Sequence, residues 1–78
     1  MIKLYTLPEC NSCDKLKDYL KNHNIEFTEI SYDDLKTNRE LRHEYQSLDQ
    51  QTFPTLFDTE KHIVMYGYNK RKLDNIYK

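Results

Sequence analysis

Residues 2–13 read IKLYTLPECNSC and join a short alternating stretch to the only two cysteines of the chain. Alternate side chains along 2–6 are apolar or β-branched, which predicts a first β-strand that Pro8 ends. A helix that begins beside Cys10 places the Cys10 sulfur at the positive end of the helix dipole, where a thiolate is favoured. Cys10 and Cys13 are therefore the first candidates for chemistry.

The spacing of apolar residues along the rest of the chain predicts the order βαβ followed by ββα. Cys13, Leu16 and Leu20 recur at intervals of three and four, which predicts an amphipathic helix from 11 to about 23. The remaining predicted elements are strands over 25–30, 55–57 and 62–66, a helix that starts near 32–34 with Tyr45 inward and Glu44 outward, and a last helix capped by Asn69. Because a short βαβ crossover joins parallel strands, we expect an α/β fold with one four-stranded mixed sheet flanked by three helices.

Size and charge limit the class of protein. A chain of 78 residues buries only about 60% of its unfolded surface, so we expect a single domain over 1–78 and a monomer. The 12 basic and 13 acidic residues are mixed along the sequence, so we expect no nucleic-acid partner. No apolar stretch approaches the roughly 20 residues of a membrane helix, and we expect no secretory signal. In the cytoplasm expected for such a chain, a cysteine pair favours catalysis or metal binding over a permanent disulfide.

The two cysteines are expected to have different roles. Cys10 lies at the solvent-facing start of the helix, whereas Cys13 shares the inward face with Leu16. Thiol–disulfide exchange begins when a thiolate attacks a disulfide sulfur and forms a mixed disulfide. We expect Cys10 to be the nucleophile, with a pKa below the ordinary value of about 8.5 although Glu9 opposes this, and Cys13 to resolve the mixed disulfide.

A C-x-x-C pair can also be half of a zinc site. Four-coordinate zinc needs two further ligands, and the candidates His23, His43 and His62 fall on different predicted elements. We therefore expect no bound metal. Stoichiometric zinc in protein purified without a chelator would contradict the redox interpretation.

Three segments resemble the glutaredoxin family of the thioredoxin-like fold: YTLPECNSC (5–13), TFPTLF (52–57) and GYNKRKL (67–73). They occur in order at family-like separations and reach across essentially the whole chain. The frequency of X-Pro isomers favours a trans bond before Pro54, whereas the resemblance implies a cis bond that faces the cysteine pair. The resemblance also implies a substrate-binding groove formed by Thr52, Phe53, Pro54, Gly67, Tyr68 and Asn69.

The resemblance implies a dithiol–disulfide oxidoreductase with no bound cofactor besides its redox-active cysteines. The single Gly67 and the basic pair Lys70 and Arg71 are similar to NrdH-type redoxins, which take electrons from thioredoxin reductase and reduce ribonucleotide reductase. The pair Asn11-Ser12 departs from both subfamilies, so a glutathione-dependent glutaredoxin stays as the alternative. A redox-sensing regulatory module is the alternative of another class. The expected partners are a disulfide-containing protein, first of all ribonucleotide reductase, and thioredoxin reductase or glutathione as electron source.

Overall fold

Eight helices and strands follow one another in the computed structural model, which describes residues 1–78. They are β1 Ile2–Thr6, α1 Asn11–Asn22, β2 Thr28–Ser31, α2 Tyr32–Thr37, α3 Arg39–Gln46, β3 Thr55–Asp58, β4 Ile63–Tyr66 and α4 Lys70–Tyr77. None of the helices has the length and apolar character that crossing a membrane requires.

The four strands form one mixed sheet in the order β2-β1-β3-β4. β1 and β2 are parallel and end together, with Thr6 beside Ser31. β3 runs antiparallel to β1 with Thr55 beside Tyr5, and β4 runs antiparallel to β3 with Tyr66 beside Thr55. The predicted mixed sheet and its terminal hairpin are therefore confirmed. We call the edge where β1 ends the carboxyl edge; the segments after β1, before β3 and after β4 meet there.

The larger core lies between one face of the sheet and the helices α1 and α4. Five leucines of this core have no solvent exposure: Leu4, Leu16, Leu20, Leu56 and Leu73. Burying a side chain of this size contributes roughly 1.5–3 kcal/mol, so this layer is a main source of stability. The inward spacing predicted for α1 is confirmed, because Cys13, Leu16 and Leu20 are buried. The cap predicted for α4 is also confirmed, because Asn69 accepts a hydrogen bond from the backbone N–H of Lys72 at 3.1 Å.

The second predicted helix is two helices, so the sheet is flanked by four helices rather than three. Asn38 separates α2 from α3 because its backbone is extended, with φ −117° and ψ 111°. Its side chain accepts a hydrogen bond from the N–H of Leu41 at 3.2 Å and thereby starts α3. Periodicity runs through this position unchanged, whereas an asparagine side chain competes for backbone donors and favours a helix start.

The second strand begins at Thr28 rather than at Ile25. The N–H of Ile25 donates to the carbonyl of Leu20 at 2.9 Å and closes the end of α1. Asn24 has a positive φ of 55°, as is common where a helix ends. Ile25 and Phe27 nevertheless pack against the larger core, which explains their alternation.

Glu44 faces the sheet, contrary to the outward position expected for it. Its Oε1 accepts hydrogen bonds from Lys3 Nζ and, at 3.1 Å, from the hydroxyl of Tyr5. Tyr5 is fully buried, and burial together with the Glu44 carboxylate raises the pKa of Tyr5 well above its ordinary value. These contacts fasten α3 to β1 on the second face of the sheet.

Candidate active site

Cys10 is the N-cap residue of α1. Its backbone is extended, and its sulfur accepts a hydrogen bond from the backbone N–H of Cys13 at 3.1 Å. The first N–H groups of a helix have no partner within the helix, and a side chain at the N-cap normally supplies one. A negative charge on the Cys10 sulfur is favoured by this N–H and by the helix dipole.

The cysteines differ in exposure as the sequence predicts. Cys10 is half-buried, whereas Cys13 is only 1% exposed. The two are joined by a disulfide, and their Cα atoms lie 5.2 Å apart. Cys10 is therefore the more accessible of the two cysteines.

Glu9 makes the sharp turn that leads from β1 into the cysteine pair. Its φ is 54°, which places a residue other than glycine in the left-handed region. Such a conformation costs roughly 1–2 kcal/mol. The Glu9 side chain is exposed, so solvent weakens the effect of its charge on Cys10.

The segment before β3 carries the cis peptide bond that the resemblance implies, between Phe53 and Pro54. The carbonyl of Pro54 accepts a hydrogen bond from the N–H of Gly67 at 2.7 Å. Gly67 has φ 79°, and a Cβ built there would meet nothing within 4 Å. Backbone conformation, rather than lack of space, is therefore the reason for glycine at this position.

Tyr45, on α3, contacts the segment that precedes β3. Its hydroxyl donates to the carbonyl of Thr52 at 3.1 Å, and Thr55 Oγ1 donates to that carbonyl at 2.8 Å. The ring of Tyr45 also stacks on the ring of Phe53, with centroids 5.2 Å apart and planes 21° apart. The spacing of apolar residues predicts that Tyr45 is buried, but it carries no information about the partner of its hydroxyl.

The strand register brings the three predicted parts of the site to the carboxyl edge: 7–13, 52–54 and 67–69. Two of the predicted site residues also have structural contacts. Tyr68 packs against the larger core, and Asn69 caps α4. Thr52 is exposed, but its carbonyl is occupied by the two donors described above.

Lys17, one helical turn after Cys13, belongs to a polar network that no sequence pattern indicates. The buried Thr6 donates to Glu29 Oε2 at 2.8 Å, and Lys17 Nζ donates to the same oxygen at 3.1 Å. The hydrogen bond from Thr6, aided by that from Lys17, lowers the pKa of Glu29. The same contact with Glu29 raises the pKa of Lys17. The network ties α1 to β1 and β2, but its members lie on three elements, so no local motif reveals it.

No group of three or more His, Cys, Asp or Glu side chains is placed to hold a metal ion. All three histidines are exposed: His23, His43 and His62.

A family model and a full-length relative identify one family. The family model described as Glutaredoxin matches residues 2–63. An uncharacterized glutaredoxin-like 8.6 kDa protein in the rubredoxin operon of Clostridium pasteurianum is 36% identical over 77 residues, which cover 97% of this chain and 96% of that protein.

Solved structures show the fold. The thioredoxin-like protein BC3987 is similar with a TM-score of 0.78 and 26% identity, over 97% of this chain and 99% of that chain. The glutaredoxin-like protein NrdH-redoxin from Escherichia coli is similar with a TM-score of 0.75 and 16% identity, over 99% of this chain and 95% of that chain. The fold is therefore the thioredoxin-like α/β fold that the resemblance implies.

Proposed function

The chain belongs to the glutaredoxin family, and on this premise we propose that it is a small dithiol–disulfide oxidoreductase that carries electrons to protein disulfides. The observation that carries the proposal is the cysteine pair at the start of α1. Cys10 is partly exposed, and its sulfur accepts a hydrogen bond from the N–H of Cys13, whereas Cys13 itself is buried. This arrangement suits one attacking and one resolving sulfur.

The reaction consists of two exchanges. In the first, the thiolate of Cys10 attacks one sulfur of the substrate disulfide; a mixed disulfide forms, and the other substrate sulfur leaves as a thiolate. In the second, the thiolate of Cys13 attacks the sulfur of Cys10, and the remaining substrate sulfur leaves as a thiolate. Two electrons have then passed to the substrate, and the Cys10–Cys13 disulfide must be reduced again.

We place the substrate polypeptide across the carboxyl edge, against 52–54 on one side and 67–69 on the other. The hydrogen bond between Gly67 and Pro54 supports this placement, because it joins the two segments into one wall beside the cysteine loop. The hydrogen bond from Tyr45 to Thr52 gives further support, since it fixes the backbone just before Pro54.

We further propose thioredoxin reductase as the electron donor and ribonucleotide reductase as the acceptor. The choice of donor is supported by the positive charge at the start of α4, because the first turn of this helix contains no acidic residue. The resemblance implies that glutathione-dependent members hold the glutathione amino group with an acidic residue there. Lys70 and Arg71 occupy this turn, as in the NrdH-type segment.

Two coupled assays test the proposal. The oxidised protein is given NADPH with thioredoxin reductase, and separately NADPH with glutathione reductase and glutathione; we expect efficient turnover in the first. Efficient turnover only in the second would overturn the choice of donor but not the dithiol chemistry. Cys10→Ser should abolish reduction of a protein disulfide, whereas Ser12→Ala, at an exposed position between the cysteines, should retain it. Full activity of Cys10→Ser would overturn the mechanism.

A further inference from the structure

The surface of the protein exposes three large hydrophobic side chains, and two of them lie at the carboxyl edge. Leu7 is 38% exposed and follows β1, and Tyr32 is 42% exposed and follows β2. The third, Met1, lies at the opposite end of β1. Because β1 and β2 end together, both side chains add apolar surface to the edge that carries the cysteine pair.

A groove of about 410 Å³ opens beside Tyr32. Its floor is formed by the buried side chains of Leu35 and Tyr45. Phe53 lines it as well, and the rings of Tyr32 and Phe53 meet edge to face with centroids 6.2 Å apart. Because Phe53 directly precedes Pro54, the groove adjoins the segment on which we place the substrate.

The lining of this groove carries positive charge only. Lys36 and Arg42 line it, and no Asp or Glu does. Lys36 lies 5.1 Å from the ring centroid of Tyr32, and its one ion pair, to the exposed Asp33, is 3.8 Å long. Arg42 forms no ion pair; its guanidinium donates only to the carbonyl of Lys36, at 3.5 Å. A carboxylate that enters the groove therefore meets two cations without displacing a strong partner.

We propose that this aromatic–basic groove, formed by Tyr32, Lys36, Arg42 and Phe53, binds the stretch of the protein substrate next to its disulfide. An apolar side chain of the substrate packs against the exposed ring of Tyr32 beside Phe53, and an acidic side chain reaches the two cations. The inference rests on the proposed function and adds a substrate class to it: proteins whose reducible cysteine is flanked by an acidic residue.

The solvent exposure of the groove limits how strongly it can prefer an acidic flanking residue. Charge pairs at a solvent-exposed site are weak and screened by salt, so we expect about a three- to tenfold preference for an acidic over a basic flanking residue. The preference should shrink as ionic strength rises from 0.02 to about 0.5 M.

Three disulfide-bridged peptides test the proposal. They are identical except for Glu, Gln or Lys two residues from a cysteine, and kcat/KM is measured for each. The parent protein should prefer the Glu peptide, and the double variant Lys36→Glu/Arg42→Glu should prefer the Lys peptide. The matched control Lys21→Glu/Lys61→Glu changes charge equally, at exposed positions outside this groove, and should keep the parent preference. A preference that persists in Lys36→Glu/Arg42→Glu would overturn the assignment.

A binding measurement separates this inference from the proposed function. The redox-inactive variant Cys10→Ser/Cys13→Ser is titrated with the same peptides, and backbone amide shifts are followed by NMR. We expect tighter binding of the Glu peptide, with shifts concentrated at Tyr32, Lys36 and Arg42. Equal binding of the Glu and Lys peptides would overturn the groove assignment even if the parent reduces all three. Conversely, selective binding of the Glu peptide by the redox-inactive variant, with no turnover of any peptide by the parent protein, would support the groove assignment and overturn the oxidoreductase proposal. If charge reversal unfolds the protein, Arg42→Gln serves as the second variant and should reduce the preference.

Discussion

The backbone N–H of Cys13 donates a hydrogen bond to the sulfur of Cys10 at 3.1 Å, so the sulfur that caps α1 is also the one that we propose as the nucleophile. Stability of the helix start and reactivity of the thiol are therefore linked through a single contact. Serine can replace cysteine as a cap but not as a nucleophile, which allows the two roles to be separated.

Cys10→Ser and Cys10→Ala should be equally inactive but unequal in stability. Serine preserves an acceptor for the Cys13 N–H, whereas alanine removes it at a cost of about 1 kcal/mol. We expect this difference in the free energy of unfolding, measured in urea under reducing conditions. Equal stability of the two variants would contradict the capping role of the Cys10 side chain.

Cys13→Ser should stop the reaction at the mixed disulfide. The variant keeps the accessible Cys10 sulfur and loses the sulfur that resolves the intermediate, so a covalent adduct with the protein substrate should accumulate. Non-reducing electrophoresis and mass spectrometry measure the adduct. Cys10→Ser is the control and should form none; an adduct through Cys13 would reverse the assigned roles.

Tyr45→Phe should weaken substrate binding more than chemistry. The substitution removes the hydrogen bond to the Thr52 carbonyl but keeps the ring stacked on Phe53. We expect a loss of stability of about 1 kcal/mol and a severalfold rise in KM for a protein disulfide with little change in kcat.

The reaction of reduced Cys10 with iodoacetamide provides the control for Tyr45→Phe, because this small reagent does not need the segment at 52–54. Its rate should equal that of the parent protein. A matching fall in both reactions would show a general defect of the fold rather than a positioning role for Tyr45.

The features that the sequence predicts are those written in local spacing. Alternation along β1, the three-and-four spacing of Leu16 and Leu20, and the asparagine cap at Asn69 each depend on residues close in sequence. The cysteine pair belongs to the same class, since its position at a helix start follows from two adjacent elements.

The features that escaped prediction depend on contacts between distant elements. Glu44 looks like a surface residue of a helix until Lys3 and Tyr5 are placed beneath it. The hydroxyl of Tyr45 likewise finds the carbonyl of Thr52 only after the chain has folded. Periodicity assigns a face to a side chain but does not identify a hydrogen-bond partner.

Gly67→Ala should cost stability without any steric clash. The added methyl group would meet nothing within 4 Å, so the cost is that of a positive φ, roughly 1 kcal/mol. Gly67→Asn should cost less, since asparagine adopts this conformation more readily. Thermal unfolding of the two variants measures the difference; a larger loss for asparagine would show that space, and not φ, limits the position.

Asp58→Asn should destabilise the protein and flatten its response to acid. Asp58 is 3% exposed and accepts hydrogen bonds from the Tyr77 hydroxyl at 2.7 Å and from the N–H groups of Glu60 and Lys61 at 3.0 and 3.1 Å. Burial raises the pKa of Asp58, but these hydrogen bonds outweigh it and lower the pKa below the ordinary value. The charged carboxylate is therefore the stabilising form.

The sign of the pH effect follows from that shift. Because the pKa of Asp58 is lower in the folded than in the unfolded protein, its contribution is complete above about pH 4 and is lost as the pH falls through the folded value. We expect Asp58→Asn to lose about 1–3 kcal/mol at pH 7 and less at pH 3. Urea unfolding at both pH values measures this, with the exposed Glu60→Gln as control. Since Asp58 pairs with Ile2 at the far end of β1, activity per folded molecule should be unchanged; a stability loss of equal size at both pH values would contradict the charged carboxylate as its source.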